Sequence, residues 1–352
     1  MKQLLFASTA TIATAGIAAA ESGINLSGYG RFGIGYLEDR AGAVTNVNTN
    51  VTTTSIVGGA VVQTPGQTTT GTAEVDTNDA ILISRFRLNI DGFTETDGGV
   101  RFEGRVRLQA DENSSTGEAN NAGLNGARFS VIYGGLRVDA GNVAGSFDNL
   151  DDYFGTEPGL EEFLGQYSGV NYSFLEYDST GSGGHAVFFQ YATGDLSFGG
   201  SYDQQTQALN GSSEDTDRWD VFASYQFSSI TASLAYGQRD LVNGDDESLT
   251  VFTLGAEFND FYGTLFLADD DVADDDENGT AYGFSVAYNL GAATTLQLVY
   301  GDGSADNDTR NIGVGAIYDL GAGASLRGAV GEVKDGDDDG RIQADFGVWF
   351  NF

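Results

Sequence analysis

Arginine recurs at even spacings in a run of short stretches: Arg85 and Arg87, then Arg101, Arg105 and Arg107, with Arg128 and Arg137 in the two that follow. Successive side chains of a β-strand point to opposite faces, so residues at even spacing share one face. Directly after these stretches comes 142–184, which carries Asp148, Asp151, Asp152, Glu157, Glu161, Glu162, Glu176 and Asp178. Guanidinium groups on one side of a space and carboxylates on the other would set a field across it, orienting water and polar solutes. Such a field needs strands to carry the arginines and a long loop folded back to face them.

The strands are legible in the alternation. Residues 24–37 place Leu26, Phe32, Ile34 and Tyr36 on one face and Ser27, Tyr29 and Arg31 on the other. From Ala80, Leu82, Phe86, Leu88 and Ile90 alternate with Arg85, Arg87 and Asn89; from Val100, Phe102, Val106 and Leu108 alternate with Arg101, Glu103, Arg105, Arg107 and Gln109. Strands at 126–134 and 135–141 turn Arg128, Arg137 and Asp139 to the polar side. Eleven more are expected at 185–193, 195–203, 218–228, 229–240, 248–259, 261–270, 279–290, 292–302, 309–320, 323–334 and 341–352. The segment 261–270 is ambiguous, with large apolar residues on both faces, and 170–178 is read as part of the long loop.

Long connections near 38, 112, 142, 204, 241, 271, 303 and 335 alternate with short ones near 92, 134, 194, 228, 260, 291 and 321. Eight long and seven short connections predict an all-β fold: a closed, sixteen-stranded antiparallel barrel with both chain ends on the short-turn side. At the end of the chain Phe346, Val348, Phe350 and Phe352 share a face, which suits a last strand that closes on the first and leaves no free edge.

Composition narrows the function. Residues 1–20 combine Lys2, an apolar stretch from Leu4 to Ala15 and small residues Ala18–Ala20, the pattern of a secretion signal; without them the formal charge moves from −35 to −36. There is no cysteine, so no disulfide can form. Beyond residue 20 no eighteen-residue apolar run occurs, so a membrane could be crossed only by strands. An acidic excess of this size opposes nucleic-acid binding. The 51 glycines with 39 Phe and Tyr suit curved barrel walls.

The leader, the sixteen segments, the acidic third long loop, the even-spaced arginines and the C-terminal Phe352 together make the chain resemble the general diffusion porins of Gram-negative outer membranes, of the alphaproteobacterial type. The resemblance spans residues 21–352. It implies a water-filled channel for small hydrophilic solutes and ions in the outer membrane, short periplasmic turns, long external loops, a third loop (142–184) that narrows the pore, and a homotrimer in contact with lipid and lipopolysaccharide. The constriction would then have Arg31, Arg85, Arg87, Arg101, Arg105, Arg107, Arg128 and Arg137 on its basic side. Asp148, Asp151, Asp152, Glu157, Glu161 and Glu162 would form the acidic side. The same arginines could also pair with Glu103, Asp139 and loop acids to hold the loop. Acidic mouths tip the balance toward cations. The first loop, 38–79, is longer than the family pattern.

Three other readings are weighed. A substrate-specific channel would need a lumenal run of aromatics, for which Tyr29, Tyr153, Phe154, Phe163 and Tyr167 are scattered candidates. A barrel enzyme would need a histidine base; His185 is the one histidine, expected at a strand end on the periplasmic approach, and no catalytic set forms around it. A closed barrel with a structural role is the third. No cofactor is required; Asp335, Asp337 and Asp339 match the start of a calcium loop, but its twelfth position is Phe346 and no helices flank it. A solvated acidic surface explains that run better than bound Ca²⁺.

Overall fold

The structure is a computed structural model that describes residues 22–40, 44–57, 60–74, 78–114, 116–209, 212–242 and 244–352. The segment read as a leader, 1–20, lies outside the described residues. Among the described residues there is no helix. The strands are β1 (Ser22–Leu37), β2 (Val44–Val57), β3 (Ala60–Glu74), β4 (Ala80–Glu95), β5 (Arg101–Glu112), β6 (Ala119–Leu124), β7 (Arg128–Tyr133), β8 (Leu136–Gly141), β9 (Ala186–Thr193) and β10 (Leu196–Leu209). They continue as β11 (Ser212–Phe227), β12 (Ile230–Asp240), β13 (Asp246–Phe258), β14 (Phe261–Asp271), β15 (Gly279–Leu290), β16 (Thr294–Gly303), β17 (Thr309–Gly321), β18 (Ala324–Asp335) and β19 (Arg341–Asn351).

Every pairing is antiparallel. β1 pairs with β4 on one side and with β19 on the other, which closes the ring. The amide of Phe352 donates to the carbonyl of Gly28, and the amide of Gly28 returns a bond to Phe352, each at 3.0 Å. β6 and β7 both pair with β5, at its two halves, and together fill one position. Sixteen positions therefore close the barrel, as the alternation predicts.

Three expected connections differ in form. The first loop contains a separate hairpin, in which β2 pairs with β3 from Val44↔Glu74 to Val57↔Ala60. The connection near 112 is a tight turn at 113–118 that sends β6 back along β5. The connection near 204 is continued strand pairing out to Leu209↔Ser212. In all three a polar sequence still satisfies its backbone by pairing across a hairpin, which composition alone does not reveal. Segment 170–178 forms no strand.

The barrel's apolar side faces outward. Leu26, Phe32, Ile34, Leu82, Phe86, Val221, Tyr225 and Phe346 are exposed, as suits a wall that meets lipid. Gly28 and Gly30 of β1 are covered by the terminal rings: a Cβ on Gly30 would lie 2.4 Å from Phe350 Cζ, and one on Gly28 would lie 3.1 Å from Phe352 Cζ. The buried apolar cluster lies inside the barrel, between the wall and residues 142–184. The ambiguous β14 is explained by that packing. Phe261, Leu265 and Leu267 face outward, whereas Phe266 faces inward and is fully buried, its ring 5.2 Å from that of Tyr153.

Candidate functional site: the lumen and its loop

The loop leaves β8 at Gly141 and runs along the inner wall from β11 to β19 and β1 before returning. Ser146 N donates to Asp220 of β11 at 3.0 Å, Thr253 Oγ1 of β13 donates to the Asp151 carbonyl at 2.7 Å, and Thr156 N donates to Ser285 Oγ of β15 at 2.7 Å. At the far end Arg31 donates to the carbonyl of Leu160 at 3.0 Å, and Glu161 N donates to Asp345 of β19 at 2.7 Å. On the return, Asn311 of β17 donates to the Gly165 carbonyl and Arg218 of β11 to that of Ser173.

Two features of the wall let the loop lie there. Inward Phe188, Phe222, Ala235, Leu249, Val251 and Phe266 pack with Val143, Phe147, Tyr153, Tyr172 and Leu175 of the loop. Burying a side chain of this size stabilises by about 1.5–3 kcal/mol relative to leaving it in water. Where the loop's path crosses β15 and β17, the strands carry glycine. A Cβ on Gly283 would sit 2.0 Å from the Gln166 carbonyl oxygen, and one on Gly313 would sit 2.2 Å from Leu164 Cδ1.

The remaining arc, β4 to β8, carries Arg85, Arg87, Arg101, Arg105, Arg107, Arg128 and Arg137, and Arg31 lies beside it on β1. All eight arginines expected on the inner face have inward partners. Arg85 pairs with Asp111, Arg101 with Glu103 at 3.0 Å, Arg105 with Asp91 at 2.5 Å and Arg137 with Asp139 at 2.5 Å. Arg128 lies 3.7 Å from Glu103 and 4.0 Å from Asp139. Arg31 lies 3.8 Å from Glu161. Arg87 and Arg107 differ: among the described residues neither has a carboxylate within ion-pair distance. Arg87 donates to Gln109 at 2.5 Å and Ser179 at 3.3 Å, and Arg107 donates to Asn89 at 2.9 Å and Ser179 at 2.6 Å.

The six loop carboxylates are spread more widely than a facing row. Glu161 meets Arg31, and Glu162 meets Arg327 of β18 at 3.0 Å. Asp148 accepts from Tyr177 N at 3.1 Å, close to the Arg107 guanidinium stacked on the Tyr177 ring. Asp152 is bonded by Tyr262 of β14, on the opposite wall from the arginines, and Glu157 by Tyr167 within the loop at 2.7 Å. Burial raises the pKa of Asp148, Asp151, Asp152 and Glu161, and pushes Glu157 to about 8, with Glu162 adding like-charge repulsion there.

Sequence reasoning passes over several lumenal groups. Asp91 and Asp111 neutralise arginines, and Arg327 stacks 4.1 Å over Trp349, whose ring lies 4.0 Å from that of Tyr29. Their signal was parity: each lies an even number of residues from an inward neighbour on its own strand. His185 is exposed at the junction of the loop with β9, at the long-loop end of the barrel and not the short-turn end, because strand direction reverses at each connection. Asp335 accepts from Thr309 Oγ1 at 2.9 Å and lies 3.5 Å from Arg341; among the described residues no group of three or more His, Cys, Asp or Glu could hold a metal ion.

The geometry is that of a tube with an apolar outside, a polar inside and one loop laid along its inner wall. The family model for Gram-negative porins matches residues 7–338. The chain is 29% identical over 338 residues to a porin of Fuscovulum blasticum, covering 94% of this chain and 100% of that one. It is 27% identical over 297 residues to a porin of Rhodobacter capsulatus, covering 76% and 93%. A solved double mutant of Rh. blastica porin superposes with a TM-score of 0.71 at 27% identity, covering 94% of this chain and 100% of that one. The chain belongs to the Gram-negative porin family: it is an outer-membrane channel for the passive diffusion of small hydrophilic solutes and ions, not an enzyme.

Proposed function

We propose that residues 21–352 form one pore domain in which 142–184 sets the narrowest passage, bounded on its far side by the arginines of β4, β5, β7 and β8. The observation that carries this is the packing of the loop: it is bonded to β11–β19 and β1, and touches the arginine arc through Tyr177 and Ser179 and, at its far end, through Leu160 on Ile81 and Ile83 of β4. Arg31, Arg85, Arg87, Arg101, Arg105, Arg107, Arg128 and Arg137 supply the basic side. On the acidic side Glu161, Glu162 and Asp148 lie closest to guanidinium groups, whereas Asp151, Asp152 and Glu157 anchor the loop.

Selectivity in this reading is by size and by charge lining the lumen. The acidic external connections concentrate cations at the mouth, so a weak cation preference results, and conduction requires no cofactor. Three barrels associate through outward faces such as that of β1, in contact with lipid and lipopolysaccharide. Planar-bilayer recording of the detergent-extracted protein under a salt gradient tests the proposal. Large conductance steps in groups of three with a small cation-side reversal potential are expected; minute steps, or strong selectivity for one solute, would overturn it.

A further inference from the structure

A strand edge is left open in the wall beside the root of the loop. β6 pairs with β5 on one side, but β8 and β9, next round the wall, reach no higher than Gly141 and Ala186, level with Arg128. Among the described residues no strand lies on the other side of β6. Consecutive amides of an extended strand point to opposite edges. Asn125 N donates toward β5, to the Arg107 carbonyl at 2.9 Å, and Gly126 N donates the other way, to the Gly181 carbonyl of the loop at 2.7 Å. The backbone groups of Ala122 and Leu124 therefore point the same way as Gly126 N, and among the described residues nothing bonds them there.

That edge lies at membrane depth. Leu124 is 59% exposed and pairs with Leu108, which lies within the first 9–11 or so residues of β5, the length a strand needs to cross a bilayer. Lipid tails cannot bond to backbone groups, so an open edge at this depth has to be covered by protein.

The chain carries a segment that fits. β2 and β3 pair only with each other and contact no other described strand. A two-stranded hairpin is at best marginally stable alone in water, so it too is left in need of a partner. Between Val44 and Glu74 the only charged residue is Glu74, in a chain of formal charge −35, and such a hairpin can approach another copy with little like-charge repulsion. Pro65 blunts the outer edge of β3, whereas β2 has no proline, glycine or charge along its length. The hairpin leaves the barrel between β1 and β4, and the open edge of β6 is turned away from both. In a ring of copies the hairpin of one is brought to the open edge of the next.

We propose that the β2–β3 hairpin of one copy adds β2 as a strand to the open β6 edge of a neighbouring copy, bonding the backbone of Ala122 and Leu124. The contact joins two different patches and closes into a ring, and it leaves the lumen untouched. The inference rests on the reading that the barrels associate.

The chain has no cysteine, so reporter pairs can be introduced cleanly. Ala122→Cys is combined with Asn48→Cys, and in a second protein with Thr49→Cys to cover the other face of β2; each is treated with a short bismaleimide and denatured. Species of two and three chains are expected from at least one pair and from none of the single substitutions. Removal of 44–74 should abolish the oligomer that resists dodecyl sulfate in the unmodified protein while each barrel keeps its single-channel conductance. Cross-links confined within one chain, no interchain species from either pair, or an oligomer equally resistant without 44–74 would overturn the inference. An unmodified protein that is monomeric in mild detergent would instead sink the reading that the barrels associate.

Discussion

The two arcs of the inner wall share one backbone pattern and are filled in opposite ways. From β4 to β8 the inward residues are arginines in partial charge balance with Asp91, Glu103, Asp111 and Asp139. From β11 to β19 many are small, apolar or hydroxyl-bearing and packed against the loop, and the charged ones are engaged by a neighbour or by the loop itself: Arg218 by Asp203 and the Ser173 carbonyl, Arg327 by Glu162, and Asp220 and Asp345 by loop amides. Burying an unpaired guanidinium under the loop would cost several kcal/mol, whereas the same group in a water-filled lumen keeps its hydration. Arg31 and Arg218, which the loop does contact, accordingly have a carboxylate and a loop carbonyl as partners.

The strongest way to break this division is to place a side chain under the loop. Gly283→Val puts a Cβ against the Gln166 carbonyl, with that of Tyr300 2.7 Å away on its other side. Overpacking of this kind costs about 1–3 kcal/mol. A larger single-channel conductance and a lower thermal midpoint are expected. Unchanged values for both would show that the loop does not rest on β15.

Next in size is charge reversal on the open arc. Converting Arg85, Arg87 and Arg107 together to glutamate should move the reversal potential under a salt gradient clearly toward cations, with little change in unfolding temperature. An unmoved reversal potential would place these arginines away from the conduction path.

A smaller effect should appear with pH on the covered arc. Burial raises the Glu157 pKa from its ordinary value of 4.5 to about 8, so the folded protein holds this proton more tightly than the unfolded chain does. Its contribution to stability is complete below about pH 4.5 and is lost as pH rises toward 8. Glu157→Gln should flatten the decline of the thermal midpoint between those values; an unaltered slope would show that Glu157 is not the group responsible.

The least change is expected from Glu162→Gln. Its partner Arg327 keeps the Trp349 ring 4.1 Å away, and Glu162 is partly exposed. A surface ion pair of this kind contributes about 0–1 kcal/mol. A fall in stability beyond that range, read from denaturant unfolding, would mean that the pair latches the loop.

Much of this was legible in the residue order. Even spacing put Arg85, Arg87, Arg101, Arg105 and Arg107 on one face, and strict alternation of long and short connections counted the strands. The double-sided apolar character of β14 was also legible, as an ambiguity whose meaning was a wall covered from within. The partners of the loop carboxylates were not. Asp152 and Tyr262 are 110 residues apart, and nothing in the local pattern of either names the other.

Period and turn chemistry are local, and so the sequence by itself determined a closed barrel with an apolar outside and an arginine-bearing inside. Which arc the loop would cover was decided only in the tertiary structure. That choice depends on the match of Phe147, Tyr153 and Leu164 with inward glycines and apolar residues on strands far along the chain, and on the cost of laying the loop over arginines. The same packing turned Asp152 and Glu157 into anchors of the loop.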